Sequence, residues 1–192
     1  MWWALVGRNK RCVTLNLSRP EGAELFRRLL GDVDVLIENF RPGTLEKWGL
    51  GPEELQADNP GLVVVTLSAW GHEGPWSGRR GFDSLVQAAC GIAVEEGKPD
   101  APGALPAQVL DHATGYLAAA GALLAVDRQR RQGGTHHVRF ALAGTAAWLQ
   151  GLPRTPQEAV DVDPTPYVVP KGRFMLAAPP GTVDGRPLTW PD

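Results

Sequence analysis

The chain has 192 residues, 43% hydrophobic and 21% charged, as expected for a soluble globular protein of one domain or one domain and a tail. Its formal net charge of −2 gives no basic field for nucleic acid, and no run of about 18 apolar residues predicts a membrane span. The two cysteines, Cys12 and Cys90, are too few for a disulfide framework and are predicted to be buried thiols of a cytoplasmic protein.

Strands and helices are predicted to alternate along the first 152 residues. Periodicity and end signals predict strands at 12–17, 33–37, 62–67 and 135–142, and helices at 20–30, 43–50, 52–58, 83–94, 111–131 and 144–152. This alternation implies an α/β fold, Rossmann-like, with a mostly parallel sheet and helices on both faces. Residues 153–192 are rich in proline and lack periodicity, so we expect an irregular C-terminal tail after a core of residues 1–152.

Common site motifs are absent from the sequence. It contains no P-loop, no Gly-x-Gly-x-x-Gly after a strand and no Gly-x-Ser-x-Gly elbow. His136 and His137 are neighbours on a predicted strand and therefore point to opposite faces, so no metal site is predicted.

Two loops directly follow predicted strands, where open α/β sheets bind ligands. Residues 38–43 offer Asn39 and Arg41 for a phosphate or an adenine ring, or else form a plain surface turn. Residues 71–83 combine four glycines with two arginines and with Trp76, which suits a planar or anionic ligand, or else form a plain flexible loop.

Asp111 stands at the start of the longest predicted helix. Aspartate there is an excellent N-cap, which is the structural interpretation. The alternative interpretation is chemical, because a carboxylate at a helix N-terminus stays ionised and exposed, as a nucleophile must.

A set of short motifs occurs in a characteristic order. They are Asn9–Arg11, Arg19–Gly22, Glu38–Gly43, Gly49–Leu50, Asn59–Pro60, Gly74–Pro75 and Gly81–Asp83. Together they resemble the family III CoA-transferases, which include formyl-CoA and carnitine-type CoA-transferases and the related α-methylacyl-CoA racemases. The resemblance runs from about Asn9 to Leu149 and implies the fold of the family's large-domain core.

The resemblance implies a set of site residues. The family's catalytic aspartate matches Asp111, and no metal is implied. Coenzyme A contacts match Leu15, Asn16, Leu17, Ser18, Asn39, Phe40, Lys47, Arg80, Gly81, Phe82 and Asp83, and Arg41 is expected beside them. Arg41, Lys47 and Arg80 are expected near the nucleotide end of coenzyme A, because its phosphates suit guanidinium forks and ammonium charges.

The resemblance also implies a reaction: coenzyme A moves from an acyl-CoA thioester to a free carboxylic acid through a covalent aspartyl intermediate. Racemisation is disfavoured, because the racemases carry a histidine where Phe82 stands. Family members are longer at both ends, so we expect a shortened member that acts as a homodimer or with a complementing subunit. The alternatives are a non-catalytic or partner-dependent CoA-binding fragment, and an unrelated α/β domain with accidental matches.

Overall fold

The computed structural model describes Gly7, residues 10–154 and residues 163–190. The chain divides into two compact units, residues 14–153 and a second unit formed by residues 1–13 with 154–192. The first unit contains, in chain order, α1 Pro20–Leu30, β1 Val35–Glu38, a 3₁₀ helix Glu46–Trp48, α2 Pro52–Asp58, β2 Val63–Ser68, α3 Asp83–Ala89, α4 Ile92–Glu95, α5 Val109–Gln132, β3 His136–Ala141 and α6 Leu142–Gln150.

The three strands of this unit form one parallel sheet in the order β1-β2-β3. Val63 of β2 lies beside Val35 of β1 and beside His136 of β3, which sets the register. The run of β-branched residues in β2 suits this central position, which is covered on both faces. The parallel sheet confirms the predicted α/β class.

Alternate residues of β2 anchor two separate apolar clusters. Val64 packs with α1, α2 and the segment between them, including the fully buried Leu50. Val63 and Val65 pack on the opposite face against a stripe of alanines of α5, formed by Ala118, Ala122 and Ala125. Because successive side chains of a strand point to opposite faces, helices cover both sides of the sheet, as predicted.

The amino end of the sheet is closed by a buried side chain of α2. The Gln56 amide donates hydrogen bonds to the carbonyl oxygens of Leu62 at 3.0 Å and His136 at 2.8 Å, just before β2 and at the first residue of β3. These bonds satisfy the buried amide and tie the starts of two neighbouring strands together.

Three elements predicted within residues 12–94 differ from the structure. The strand predicted at 12–17 is absent, because Asn16 and Ser18 form a tight hydrogen-bonded turn and Leu17 packs beside the α1 cluster. The helix predicted at 43–50 is only one short 3₁₀ turn. The helix predicted at 83–94 is broken at Gly91, whose φ of 88° is left-handed and ends the helical path.

Both cysteines were predicted to be buried, and that prediction is wrong for Cys12. Its side chain is exposed, and its Sγ lies 3.7 Å from the carbonyl oxygen of Lys10. Cys90 is partly buried, and burial raises the pKa of its thiol.

The described part of the second unit is more regular than predicted. Strands β4 Val168–Lys171 and β5 Phe174–Ala177 form one antiparallel hairpin, and β6 Thr182–Val183 and β7 Arg186–Pro187 form another. The second hairpin turns at Asp184 and Gly185, which both have positive φ. An Asp-Gly pair is a strong hairpin signal, so this turn was visible in the sequence despite the surrounding prolines.

Helix α5 spans 24 residues and is apolar enough, by length and composition alone, to cross a membrane. The same composition suits a helix that packs on a sheet, as the alanine stripe of α5 does. The helix also carries Asp111 in its first turn and Arg130 and Arg131 in its last.

Candidate active site

Asp111 lies in the first turn of α5 but is not its N-cap, contrary to the sequence prediction. The helix begins two residues earlier, at Val109, and the residue at the N-cap position, Gln108, makes no side-chain hydrogen bond to the helix. The side chain of Asp111 is exposed. It therefore presents a carboxylate at the positive end of a long helix without being used up as a cap.

The capping function falls to Asp83, the first residue of α3. This side chain is fully buried, and its Oδ2 accepts a hydrogen bond from the backbone N–H of Asp111 at 2.9 Å. Its Oδ1 accepts a second hydrogen bond, from the amide of Gln87 one turn along α3. A carboxylate with two such donors can remain in the interior without an unsatisfied oxygen.

Gln87 also holds the segment that leads into α5. Its Oε1 accepts a hydrogen bond from the backbone N–H of Leu105 at 3.0 Å, and its Nε2 donates to the carbonyl oxygen of Ala107 at 3.4 Å. Helix α3 thus fixes both the linker before α5 and the backbone of the first turn.

The surroundings of Asp111 raise the pKa of its carboxyl. Although the residue is exposed, neighbouring atoms remove part of the water around the carboxyl, and this desolvation is the larger cause; the negative charge of Asp83 adds to it, and His112 acts in the opposite direction. Both of the raising effects disfavour the charged form. A carboxylate with a raised pKa is a stronger nucleophile than an ordinary one, because basicity and nucleophilicity rise together.

The loop that links β2 to α3 is packed on itself. The rings of Trp70 and Trp76 pack edge to face, with 4.9 Å between the ring centres. The Arg79 guanidinium lies 4.9 Å from the centre of the Trp76 ring. The sequence suggested that Trp76 could stack on a planar ligand, and in the structure its ring already contacts two side chains. The Trp70 indole donates to the carbonyl oxygen of Arg80, which fixes that backbone.

Arg80, Gly81 and Phe82 form the last part of this loop. Arg80 is exposed, and Phe82 is 70% exposed. A Cβ on Gly81 would lie 2.4 Å from the Cβ of Ala69, so no side chain fits there without a shift of the backbone. The adjoining Asp83 is the exception among these residues, because its side chain points into the interior.

The residues expected to contact coenzyme A near β1 are exposed. Asn39, Phe40 and Arg41 follow the carboxyl end of β1, and the backbone N–H of Phe40 donates to Glu38 at 2.8 Å. Lys47 lies on the exposed side of the 3₁₀ helix. Since β1 and β2 are parallel neighbours, these residues and the loop after β2 share the carboxyl edge of the sheet.

The segment Leu15–Ser18 lies immediately before α1. The side-chain oxygen of Asn16 accepts hydrogen bonds from the backbone N–H and the hydroxyl of Ser18, at 3.1 and 2.7 Å. A Cβ on Gly22 would lie 2.0 Å from the carbonyl oxygen of Asn16, so the glycine allows this segment to approach α1 closely.

A cavity of about 440 Å³ lies at the carboxyl end of the sheet, and sequence reasoning missed it. Its lining residues come from all three strands, the 3₁₀ helix, the start of α2 and the loops beside them: Glu38, Pro42, Glu46, Pro52, Glu53, Glu54, Thr66, His72, Glu73, His137 and Arg139. Five glutamates against one arginine give it an acidic wall, which does not suit phosphate groups. The alternation of β1, β2 and β3 aims Glu38, Thr66 and Arg139 at one face, but no local motif marks that meeting.

A buried hydroxyl joins two histidines in this cavity. Thr66 Oγ1 lies 3.2 Å from Nε2 of His72 and 3.0 Å from Nε2 of His137. Burial, followed by the charge of Arg139, lowers the pKa of both imidazoles. His136 faces elsewhere, with its Nε2 3.2 Å from the carbonyl oxygen of Gly133. Within residues 10–154 and 163–190, no group of three His, Cys, Asp or Glu side chains is arranged to hold a metal ion.

Comparisons with known proteins give a consistent result. The model of CoA-transferase family III matches residues 1–174. Succinyl-CoA--D-citramalate CoA-transferase of Chloroflexus aurantiacus is 44% identical over 134 residues, which is 69% of this chain and 33% of that protein. The beta subunit of succinyl-CoA--L-malate CoA-transferase of the same organism is 42% identical over 142 residues, or 73% of this chain and 35% of that protein.

A solved structure extends the likeness to three dimensions. The crystal structure of Rv3272 from Mycobacterium tuberculosis superposes with a TM-score of 0.71 at 37% identity, and the match covers 74% of this chain and 41% of that one. The chain spans about a third of the length of the two Chloroflexus relatives that it matches.

Proposed function

The chain belongs to CoA-transferase family III, and we propose that it carries the core of an enzyme that moves coenzyme A from an acyl-CoA thioester to a free carboxylic acid. The observation that supports this proposal most strongly is the placement of the carboxylate of Asp111. Its carboxylate is exposed at the first turn of a 24-residue helix, its pKa is raised, and its backbone is held by a buried partner. These are the properties that a nucleophilic carboxylate needs.

In the proposed reaction, a carboxylate oxygen of Asp111 attacks the thioester carbonyl carbon and expels the CoA thiolate, leaving a mixed anhydride. The thiolate attacks the aspartyl carbonyl carbon of the anhydride, which releases the donor acid and forms an aspartyl-CoA thioester. The acceptor carboxylate attacks that thioester to form a second anhydride and the thiolate again. Attack of the thiolate on the acceptor's carbonyl carbon then gives the new acyl-CoA and restores Asp111.

The coenzyme A contacts proposed from the sequence fit the exposed surface at the carboxyl edge of the sheet. Arg41, Lys47 and Arg80 are exposed there and are available to phosphate oxygens. Asn39, Phe40, Gly81, Phe82 and the segment Leu15–Ser18 supply the remaining proposed contacts. Asp83 is assigned differently, because a fully buried carboxylate with two donors has no oxygen to offer to a ligand.

Partners and location are part of the proposal. The substrates are an acyl-CoA and a carboxylic acid, and the chain is expected to act as a homodimer or with a complementing subunit. The second expectation is supported by the relative named as a beta subunit. The cytoplasm is the proposed location, since Cys12 and Cys90 are both free thiols.

A transfer assay tests the activity. The purified chain is incubated with an acyl-CoA donor and an excess of acceptor acid, and the new acyl-CoA is identified by mass spectrometry. Asp111→Asn is the matched variant, since it keeps the side chain's size and removes its nucleophilic oxygen. We expect transfer by the wild type and none by the variant; equal transfer by both would refute the covalent role of Asp111.

Trapping gives a direct test of the intermediate. Hydroxylamine attacks activated aspartyl carbonyls, so wild-type protein incubated with acyl-CoA is expected to gain a hydroxamate on the peptide that contains Asp111. Asp127→Asn, at the far end of the same helix, is the control and should still be trapped. Labelling that persists in Asp111→Asn would place the covalent chemistry elsewhere.

A second candidate function is a CoA-binding part that transfers only with a partner chain, which the relative named as a beta subunit favours. Calorimetry distinguishes the two candidates. Binding of coenzyme A without transfer by the chain alone supports the second, and transfer by the chain alone excludes it.

A further inference from the structure

The first turn of α5 obtains no capping side chain from its own end. The backbone N–H groups of a first helical turn have no partner within the helix. Gln108 stands at the N-cap position and leaves them without a side-chain acceptor. Asp83 of α3, 28 positions earlier in the chain, accepts the N–H of Asp111 instead.

This contact is buried and supported. Asp83 is 0% exposed, and the Gln87 amide donates to its other oxygen. The same Gln87 bonds to the backbone at Leu105 and Ala107. The carboxylate is therefore held by its own helix and cannot turn away from Asp111 without leaving a buried amide unsatisfied.

We propose that Asp83 is the positioning residue of this site, which fixes the backbone of Asp111 at the start of α5 while Gln87 holds Asp83 in place. The inference rests on the proposed role of Asp111 as the nucleophile. This positioning role of Asp83 does not depend on any contact between Asp83 and coenzyme A. The exposed carboxylate of Asp111 stays free to react because the buried carboxylate of Asp83 does the capping.

Two charged carboxyl groups near each other have an electrostatic consequence. The charged and titratable groups acting on Asp111 are Asp83 from α3 and His112 from its own helix. Since the negative charge of Asp83 raises the pKa of Asp111, removing that charge lowers it. The carboxyl titration therefore reports how close the charge of Asp83 lies to Asp111, and the backbone amide of Asp111 reports the hydrogen bond itself.

The test uses nuclear magnetic resonance on the full 192-residue chain, with the Asp111 carboxyl carbon and backbone amide as probes. In Asp83→Asn we expect the Asp111 carboxyl to titrate at lower pH than in wild type. In Asp83→Ala we expect exchange of the Asp111 amide proton to become roughly ten- to hundredfold faster, since it loses a hydrogen bond to a charged acceptor. Asp127→Asn is the matched control and should change neither probe.

A double variant keeps the test decisive if alanine at this position prevents folding. Asparagine can accept a hydrogen bond at only one atom, so D83N leaves its amide facing either Gln87 or Asp111. Adding Q87E supplies an acceptor for that amide and lets the asparagine oxygen face Asp111. We expect the Asp111 amide to exchange faster in D83N than in wild type, and we expect D83N/Q87E to restore slow exchange. Exchange in the double variant as fast as in D83N would overturn the proposal.

Activity separates this proposal from the proposed function. If the wild type transfers coenzyme A, D83N should lower kcat with little change in KM for acyl-CoA, and an unchanged kcat would overturn the positioning role while leaving the transferase function intact. If the wild type transfers nothing, the proposed function of the isolated chain fails. Exchange of the Asp111 amide then still decides, because an unchanged exchange rate in Asp83→Ala would refute the inference.

Discussion

Replacing Asp83 with alanine is expected to destabilise the fold far more than replacing Asp111. The Asp83 carboxylate is fully buried and accepts hydrogen bonds from the Gln87 amide and the Asp111 backbone. Hydrogen bonds to charged groups contribute about 1.5–3 kcal/mol each, so the simple sum is roughly 3–6 kcal/mol. Water that enters the vacated space recovers part of this, and we expect a loss of about 3 kcal/mol.

Asp111→Ala removes an exposed side chain that caps nothing. It loses a favourable interaction with the positive end of α5, typically about 0.3–1 kcal/mol, and gains relief from the charge of Asp83. These two effects oppose each other, so the free energy of unfolding should stay within about 0.5 kcal/mol of wild type.

Urea unfolding followed by circular dichroism measures both changes. With a slope of about 2–3 kcal/mol per molar, Asp83→Ala should lower the urea midpoint by roughly 1 M, and Asp111→Ala by no more than about 0.25 M. Asp127→Ala, which removes an exposed ion pair with Arg131, is the control for a carboxylate on the same helix. If Asp111→Ala costs as much as Asp83→Ala, Asp111 is itself a cap and the geometry described for α5 is wrong.

Three further outcomes are expected. Arg80→Ala should weaken coenzyme A binding by about 1.5–3 kcal/mol in calorimetry. Arg128→Ala, on an exposed part of α5, is the control and should leave the affinity unchanged. Equal affinity of wild type and Arg80→Ala would exclude Arg80 from the site. Burial and the charge of Arg139 lower the pKa of His137 in the native state, so near the ordinary histidine pKa of 6.5 the unfolded state binds more protons than the native state. The free energy of unfolding should therefore be largest above that pH and should fall as pH drops through it. Urea midpoints that do not decrease on acidification, or that decrease equally in His137→Gln, would contradict this. Light scattering should give a dimer or larger species, since Leu123 and Leu124 of α5 are 72% and 70% exposed, and a monomer of 20.6 kDa at micromolar concentration would oppose that expectation.

Local signals in the sequence were sufficient where the determinants of structure are local. Pro20 and Gly31 mark the ends of α1 as predicted, and the apolar run of β2 identifies the central strand. The start of α5 could not be predicted in the same way, because the side chain that caps it lies in another helix. Asp111 was correctly placed at the amino end of the helix, and its expected role as the N-cap was wrong.

The remaining differences also have physical causes. The alternation of residues 12–17 is typical of a strand, but a strand also needs a partner, and the turn at Asn16 and Ser18 satisfies these groups locally instead. The cavity with Thr66, His72 and His137 depends on the register of three strands, which no single segment encodes. The burial of Asp83 likewise follows from tertiary packing, and the motif that contains it does not reveal which way its side chain points.

The Gln56 bridge gives the sheet one stiff end and one adaptable end. At the amino end, a single buried amide holds the starts of β2 and β3 in register. At the carboxyl end, β1 and β2 lead into exposed segments that contain Asn39 and Arg80. Thermal fluctuations of the backbone should therefore be smaller at the amino end of the strands than at the carboxyl end. A ligand that binds across the carboxyl end would reduce these fluctuations without displacing the amino end.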